Sequence, residues 1–195
     1  MEINHAIVTR ARFKDKNLRN KYYKISKEIL IPSLKNQVEK NFTWVLFILK
    51  EDVNYTRDFF EIDFVPVFNI DHFTECMQKH KFKIQTRHDI DDWMSPWYVK
   101  EIHKIYKQNY SNFDKFIIHA QPTKYLYHAK QENIMGQYHD ERTSMFTTLC
   151  QQICTNHILE KTHGWMWEIA PKVFKIPEGY VKWVIHGDNI SCQKK

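Results

Sequence analysis

Short apolar runs bounded by polar residues recur through the first half of this chain. Residues 5–9, 43–49 and 81–86 each have the length and patterning of a β-strand. The run at 43–49, TWVLFIL, is almost continuously apolar, which is typical of a parallel sheet covered on both faces. Residues 64–68 form a fourth run, in which Pro66 cannot donate to a ladder. We therefore expect three adjacent inner strands and one peripheral strand.

Apolar residues at helical spacing separate these runs. The pattern predicts helices over residues 18–38, 73–80, 96–106 and 143–159. Pro32 interrupts the first of them, which predicts a kink or a fresh helix start at residues 32–33. Residues 115–131 are expected to form two strands around the Gln-Pro-Thr at 121–123, and residues 164–191 to be mostly extended. Because strands and helices alternate, the predicted fold class is α/β, an open and mainly parallel sheet flanked by helices.

The composition limits the classes of protein to which the chain can belong. With 195 residues, 43% of them hydrophobic, residues 1–195 are expected to form one domain. There is no apolar run of about 18 residues or more and no secretory signal, so we expect a cytoplasmic protein without a transmembrane segment. Its four cysteines lack the spacing of a disulfide scaffold. The formal net charge of +6 suggests an anionic partner, but Lys and Arg are dispersed, which does not favour nucleic acid.

The segment TRHDIDD at residues 86–92 places three carboxylates directly after a predicted strand. In extended backbone, Asp89 and Asp91 point to one face and Asp92 to the other. Such carboxylates are hard oxygen ligands for Mg²⁺ or Mn²⁺, which complete their coordination shell with water and substrate phosphate. The alternative is an acidic turn in which Asp92 caps a helix that begins near residues 95–96.

Basic and hydroxyl side chains are predicted at a neighbouring strand end. Ligands of open α/β sheets bind beyond the carboxyl ends of the strands, where Thr9, Arg10 and Arg12 can share one crevice with the acidic segment. Arg10 and Arg12 could hold a base or a diphosphate, and Arg87 is placed to contact phosphate beside a metal. Solvation at the protein surface is the alternative for these arginines.

Four segments, spread in order over nearly the whole chain, resemble the GT-A glycosyltransferases and, among them, the rhamnosyl-transferase-like group. They are IVTRARF at 7–13, ILIPSLKNQVEKNFTWVLFI at 29–48, TRHDIDD at 86–92 and WVIHGDNIS at 183–191. The third resembles that group's DXD motif, and the first departs from its pattern by reading TRARF where the group has TRF. The resemblance implies a nucleotide-binding half at residues 1–92, and a minimal acceptor half with a closing tail at residues 93–195.

The resemblance also implies a nucleoside-diphosphate sugar as donor, with Mn²⁺ or Mg²⁺ bridging its diphosphate to Asp89 and Asp91. Asp92 is a third candidate ligand, and Asp89 is also a candidate contact of the donor. A C-terminal histidine often joins the metal in this class, and His186 occupies a suitable place. For His186 to reach the metal, the tail must fold back across the crevice. The alternative is a structural histidine that bonds a turn at residues 187–189.

An inverting transferase needs a carboxylate to take the proton of the acceptor hydroxyl. The order of elements in the resembling class suggests Asp140 or Glu141, just before the helix predicted at 143–159. The alternative is that Asp140 caps this helix and that Glu141 interacts with its dipole. Glu168, in GWMWE, is a rival candidate, because it resembles the Trp-Gly-x-Glu acids of other GT-A families.

The expected function is metal-dependent, inverting transfer of a hexose-type sugar to a hydroxyl group of a glycan, lipid or protein acceptor. One alternative is a non-catalytic module of the same fold that binds a nucleotide sugar. Another is a nucleotidyltransferase, a class that typically has a glycine-rich phosphate loop after its first strand. This chain has four glycines, none of them before Gly136, which disfavours that alternative.

Overall fold

Four parallel strands form one half of the sheet, which we call the parallel half. The computed structural model describes residues 3–127, 131–133, 146–156, 158–159, 168–170 and 172–186. The four strands are β1 (His5–Arg10), β2 (Thr43–Phe47), β3 (Val65–Val67) and β4 (Ile84–Arg87), in the order β3-β2-β1-β4. The predicted inner strands are therefore adjacent, and β3 lies at the edge, as Pro66 led us to expect. The predicted open α/β sheet with flanking helices is confirmed.

The remaining strands form the mixed half of the same sheet. They are β5 (Trp93–Met94), β6 (Lys115–Leu126), β7 (Gln131–Asn133), β8 (Thr147–Gln151) and β9 (Val173–Ile185). From β4 outward the order is β8-β6-β9-β5, and β7 pairs with β6. β8 is antiparallel to both of its neighbours, whereas β6 and β9 run parallel to each other. The parallel arrangement that we predicted for most of the sheet thus ends at β4.

Helices connect the strands in the described part of the chain. They are α1 (Lys16–Glu28), α2 (Leu30–Lys35), α3 (Val53–Phe60), α4 (Ile70–His80) and α5 (Tyr98–Asn109). The Asp15 carboxylate accepts hydrogen bonds from two backbone N–H groups at the start of α1, and the Asn69 side chain accepts one at the start of α4. The predicted break at residues 32–33 lies instead at Ile29. Pro32 falls in the first turn of α2, where its missing N–H removes no intrahelical bond.

Two further expectations were wrong. Residues 147–151, within the helix predicted at 143–159, form strand β8, because all five of them are buried between β4 and β6. Residues 115–131 do not form two strands around 121–123. They form the single long strand β6, in which the register to β9 shifts between Ala120 and Pro122, and then the short β7. The irregularity at Pro122 bends the strand without ending it.

Two apolar layers cover the sheet. On one face, α1, α2 and α5 pack around Ile7, Leu46 and Ile84, and on the other face α4 packs on Val8 and Val45. These layers hold β1 and β4 side by side with their carboxyl ends at one edge of the sheet. Within the described ranges, no helix combines the length and the apolar composition needed to cross a bilayer.

A chain of buried polar side chains links α5 to the parallel half. His5 Nδ1 lies 3.0 Å from His103 Nε2, and His5 Nε2 lies 2.8 Å from Thr86 Oγ1, which is 2.7 Å from Thr148 Oγ1. Burial lowers the pKa of His5 well below its usual value and that of His103 to about 4. Both imidazoles are therefore neutral at physiological pH and act as hydrogen-bonding groups within the core.

Candidate functional site

The acidic segment leaves the carboxyl edge of the sheet at the junction of its two halves. The pairing of β4 with β1 continues one step beyond the strand, since His88 N–H donates to the carbonyl of Val8 at 3.0 Å. A turn follows, in which Asp92 N–H donates to the carbonyl of Asp89 at 3.3 Å. The Asp89 side chain is 31% exposed, whereas that of Asp91 is 9% exposed. Asp89 is thus the most exposed of the three carboxylates, since Asp92 is buried as well.

His186 meets the acidic segment from the opposite end of the chain. Strand β9 ends at Ile185, and the imidazole Nε2 of His186 lies 2.8 Å from a carboxylate oxygen of Asp91. The end of β9 therefore brings His186 back to the acidic segment, as the expected role of His186 requires. Its role as a metal ligand stays a prediction, and the turn at residues 187–189 lies outside the described residues.

Asp92 connects the acidic segment to β9. Its buried carboxylate accepts a hydrogen bond from the backbone N–H of Val184 at 2.9 Å. The alternative that Asp92 caps the next helix is wrong, because α5 begins at Tyr98 and the N–H of Val99 in its first turn donates to the side chain of Gln37 at 3.1 Å. The geometry gives Asp92 a structural contact, and a role in binding metal stays a prediction.

Burial and neighbouring carboxylates raise the pKa of Asp89 and of Asp92. Burial, the charge of Asp91 and the charge of Asp89 raise the pKa of Asp92 well above its usual value. Burial also raises the pKa of Asp89, Arg87 opposes this shift, and Asp91 adds to it. Like charges held together in a buried place repel each other, and a cation among them would relieve this repulsion.

Tyr22 of α1 belongs to the site although its position in the sequence did not indicate it. Its ring stands edge-on to the imidazole of His186, with 5.0 Å between the ring centroids. Burial, followed by the charges of Asp91, Asp89 and Asp92, raises the pKa of Tyr22 to about 12. In the sequence Tyr22 is one of several apolar positions of an amphipathic helix, and only the packing of α1 over the crevice distinguishes it.

Arg87 is the most buried of the three predicted phosphate-binding arginines. Its side chain is 12% exposed, and its Nε lies 3.9 Å from a carboxylate oxygen of Asp89. Burial lowers the pKa of Arg87 to about 10, and the nearby charge of Arg10 contributes to this shift. The buried Nε–H has no hydrogen-bond acceptor among the described residues. A buried cation with an unused donor is a natural contact for an anionic ligand.

The other predicted contacts differ in position. Arg10 and Arg12 are exposed at the end of β1, where a ligand could reach them. Thr9 is fully buried, and its hydroxyl accepts a hydrogen bond from the indole N–H of Trp44 at 3.0 Å. The Thr9 side chain thus supports the core below the crevice, and a contact of Thr9 with a ligand stays a prediction.

The candidate catalytic bases are not brought to the acidic segment by any described contact. Glu168 is exposed. Asp140 and Glu141 lie outside the described residues. The identity of the base stays a prediction.

Among the residues that the structure describes, no three His, Cys, Asp or Glu side chains are grouped so that they could hold a metal ion. A site enclosed by protein ligands alone is therefore not found in this part of the chain. Asp89 and Asp91 do fit the looser kind of site in which Mg²⁺ is held by one or two carboxylates and by substrate phosphate. The raised pKa of Asp89, caused by burial and in part by Asp91, is an observation consistent with that fit.

Comparisons of the chain with known proteins identify its fold. No family model matches the sequence, and no curated protein matches it either. The crystal structure of S. aureus TarS 1–349 superimposes with a TM-score of 0.57 at 8% identity, covering 93% of this chain and 60% of that chain. TarS 1–349 in complex with UDP-GlcNAc gives a TM-score of 0.54 at 8% identity, covering 96% and 60%.

A cytidylyltransferase from Leptospira borgpetersenii is also similar, with a TM-score of 0.51 at 14% identity, covering 92% of this chain and 77% of that one. The present chain thus spans about 60% of the length of TarS 1–349. Identities this low establish the fold and nothing finer. The chain has the GT-A-like α/β fold of the nucleotide-diphospho-sugar transferases.

Proposed function

We propose that this protein is a glycosyltransferase that moves a sugar from a nucleoside diphosphate to a hydroxyl acceptor with the help of Mn²⁺ or Mg²⁺. One observation carries the proposal. The Asp91–His186 contact lies at the carboxyl ends of β1 and β4, the edge at which open α/β sheets bind their ligands. In the same fold, TarS has been crystallised with UDP-GlcNAc and with UDP.

Arg87 supports a diphosphate-bearing donor. Its guanidinium is buried beside Asp89 and has an unused Nε–H among the described residues, and Arg10 is close enough to lower its pKa. Two like-charged arginines at adjoining strand ends are stabilised when an anion lies between them. We infer that Arg87 contacts the diphosphate directly and that Arg10 contributes from the exposed side.

Asp89 and Asp91 would hold the metal ion together with the diphosphate. When bound, the ion supplies positive charge that stabilises the departing nucleoside diphosphate. We assign His186 to orienting Asp91, because its Nε2 is engaged with the Asp91 carboxylate at 2.8 Å and a ring nitrogen that donates a hydrogen cannot bind a metal at the same time. Tyr22 packs edge-on against His186 and limits the movement of its ring.

In the proposed reaction, the acceptor oxygen forms a bond to the anomeric carbon of the donor sugar. The bond from that carbon to the diphosphate breaks, and its electron pair leaves with the nucleoside diphosphate. The acceptor proton passes to a carboxylate, for which Asp140, Glu141 and Glu168 are the candidates. Attack from the face opposite the diphosphate inverts the anomeric configuration. Membership of the rhamnosyl-transferase-like group is part of this proposal.

A nucleotidyltransferase is the second candidate, and the similarity to a cytidylyltransferase favours it. The segment after β1, Ala-Arg-Phe-Lys-Asp at residues 11–15, has no glycine with which to surround a triphosphate. A binding module without a catalytic base is the third. The three candidates make different demands on the site: a donor sugar with an acceptor, a nucleoside triphosphate with a sugar phosphate, or a nucleotide sugar alone.

One experiment separates the three candidates. Thermal unfolding is measured with UDP, UDP-GlcNAc, GDP-mannose, dTDP-rhamnose and CTP, each with and without Mn²⁺. A ligand at about 100 times its dissociation constant raises the free energy of unfolding by about 2.7 kcal/mol. The nucleotide sugar that stabilises the protein is then tested for release of its nucleoside diphosphate. Metal-dependent stabilisation followed by release supports the proposal, and stabilisation without release supports the binding module. Stabilisation by CTP alone would contradict the proposal.

A further inference from the structure

Lys182 lies between two aromatic rings on the mixed half of the sheet. Its Nζ is 4.5 Å from the ring centroid of Trp93 and 6.0 Å from that of Tyr125. In the strand register, Lys182 of β9 pairs with Trp93 of β5 on one side and with Thr123 of β6 on the other. Paired residues of neighbouring strands point to the same face of a sheet. We call the four side chains Trp93, Thr123, Tyr125 and Lys182 the Lys182 patch.

The Lys182 patch begins where the acidic segment ends. Trp93 directly follows Asp92, whose carboxylate is bonded to Val184, two residues beyond Lys182. His186 lies four residues beyond Lys182, a separation of about 13 Å along an extended strand. A single phosphate or carboxylate group therefore cannot contact both Lys182 and His186. A ligand of the patch would therefore lie next to the proposed donor site without overlapping it, which is where the acceptor of a transfer reaction must be held.

The chemistry of the patch suits a saccharide that carries a negative charge. Trp93 and Tyr125 are half-buried rings, which offer apolar surface to the C–H groups of a sugar. Lys182, half-buried and flanked by both rings, has already lost part of its conformational freedom, so that less entropy is lost when it binds an anion. The buried Thr123 hydroxyl has no hydrogen-bond partner within the described ranges and can bond a sugar hydroxyl.

We propose that the Lys182 patch is an acceptor subsite for an acidic saccharide, one that carries a carboxylate or a phosphate. The name acceptor subsite rests on the proposed glycosyl transfer, but binding to the patch requires neither nucleotide nor metal. The formal net charge of +6 is consistent with an anionic ligand.

Lys172 provides a matched control at the other end of the same strand. It immediately precedes β9, and its Nζ lies 5.7 Å from the ring of Phe113 and 5.4 Å from that of Phe174. Lys172 therefore has the same charge and a similar aromatic environment, but no place beside Trp93. If any lysine over aromatic rings bound acidic sugars, Lys172 would contribute as much as Lys182.

The test follows the indole N–H resonance of Trp93 by NMR, assigned with Trp93→Phe, in metal-free protein without nucleotide. The probes are glucuronate, glucose 6-phosphate, glucose and inorganic phosphate. At least one of the two acidic sugars should shift the Trp93 resonance in a saturable manner. Its affinity should be at least about tenfold higher than the affinities of glucose and of inorganic phosphate. Binding of only one of the two would identify the charged group. Lys182→Gln should weaken this binding about tenfold, whereas Lys182→Arg and Lys172→Gln should retain it.

Three outcomes would overturn the proposal: glucose binding as tightly as the acidic sugars, phosphate alone doing so, or Lys182→Gln leaving the affinities unchanged. If Trp93→Phe fails to fold, Tyr125→Leu is measured by calorimetry with the same probes and should weaken the acidic sugars alone. Failure of the nucleotide screen would overturn the proposed glycosyl transfer and leave this result as evidence for a saccharide site. Failure here would leave nucleotide binding unaffected.

Discussion

The parallel half and the mixed half of the sheet contribute different things to the site. The parallel half supplies the strand ends from which Arg10, Arg87 and the acidic segment emerge, and each of its strands pairs with another of the first 87 residues. The mixed half supplies His186, and its strands all come from residues 93–185, after the acidic segment. The candidate site therefore takes its carboxylates and arginines from the first half and its histidine from the second.

The largest effect should follow from removing the carboxylates of the parallel half's acidic segment. Asp89→Ala and Asp91→Ala should each lower the Mn²⁺-dependent affinity for the nucleotide identified by screening about 100-fold, because each removes a proposed metal ligand. Calorimetry with and without Mn²⁺ measures this. Asp71→Ala, in the first turn of α4, is the control for loss of a carboxylate. Unchanged metal dependence in either variant would show that its assigned role is wrong.

The contact of Asp92 tests whether the two halves are tied together. Asp92→Ala removes the buried hydrogen bond that Val184 N–H donates to this carboxylate, which should lower the free energy of unfolding by about 0.5–1.5 kcal/mol. Asp92→Asn keeps an accepting oxygen and removes a buried charge whose pKa is raised by burial and by Asp91 and Asp89. The pKa of the Asp92 carboxyl is higher in the folded protein than its ordinary value of 3.8. The free energy of unfolding therefore falls as the pH rises above 3.8, because the unfolded chain releases this proton first.

Asp92→Asn should therefore be at least as stable as the unaltered protein at pH 7, and the difference should shrink toward pH 4. Urea unfolding of metal-free protein across this range is the measurement. Equal losses of stability in both variants would argue against the electrostatic explanation.

His186→Ala should have a smaller effect on binding than loss of either metal ligand. Because we assign His186 to orienting Asp91, we expect the Mn²⁺-dependent affinity for the same nucleotide to fall about tenfold. Tyr22→Phe, which keeps the ring beside His186, is the matched control and should bind normally. A loss as large as that of Asp91→Ala would instead favour direct coordination by His186.

The last prediction concerns the stability of the fold and not ligand binding, and it involves His103 of α5, which contacts His5 of the parallel half. The pKa of His103 is lowered by burial from 6.5 to about 4, so the unfolded chain binds a proton in this range that the folded protein does not. Stability should fall as the pH is lowered from 6.5 toward 4, by on the order of 1 kcal/mol per pH unit for this group. His103→Gln should flatten that slope in urea titrations. The carboxylates contribute equally to both proteins, so the difference between the two slopes reports on His103 alone. The same dependence of the free energy of unfolding on pH in both proteins would show that His103 does not have a lowered pKa.

The fold of the parallel half could be predicted because its patterns are local. The apolar runs of β1, β2 and β4 are bounded by polar residues, and Pro66 marks an edge. Phe146, Leu149 and Cys150 keep helical spacing, yet residues 147–151 form strand β8 because burial on both faces favours apolar and β-branched residues regardless of period. Residues 147–151 form a strand because they pair with β4 and β6, and the sequence of this segment alone does not indicate that pairing.

The candidate site also contains some residues that the sequence could indicate and others that it could not. The spacing of Asp89 and Asp91 predicted a metal site, which stays a prediction, and the resemblance of the closing segment pointed to His186, which the structure brings to Asp91. The unused donor of Arg87, the place of Tyr22 and the bond from Asp92 to β9 depend on how elements pack across the crevice. Such contacts join residues that share no sequence pattern, so only coordinates could show them.

The hydrogen bond between Asp91 and His186 also bears on the order in which the protein folds. Its two partners are separated by 95 positions, so the entropy of closing a long loop must be overcome before the bond forms. Contacts of high sequence separation form slowly, and they report on late stages of folding. We therefore expect the parallel half to acquire protection from amide hydrogen exchange before the crevice closes. Capacity to bind nucleotide would then appear only with the last cooperative step, which makes ligand binding a measure of complete folding.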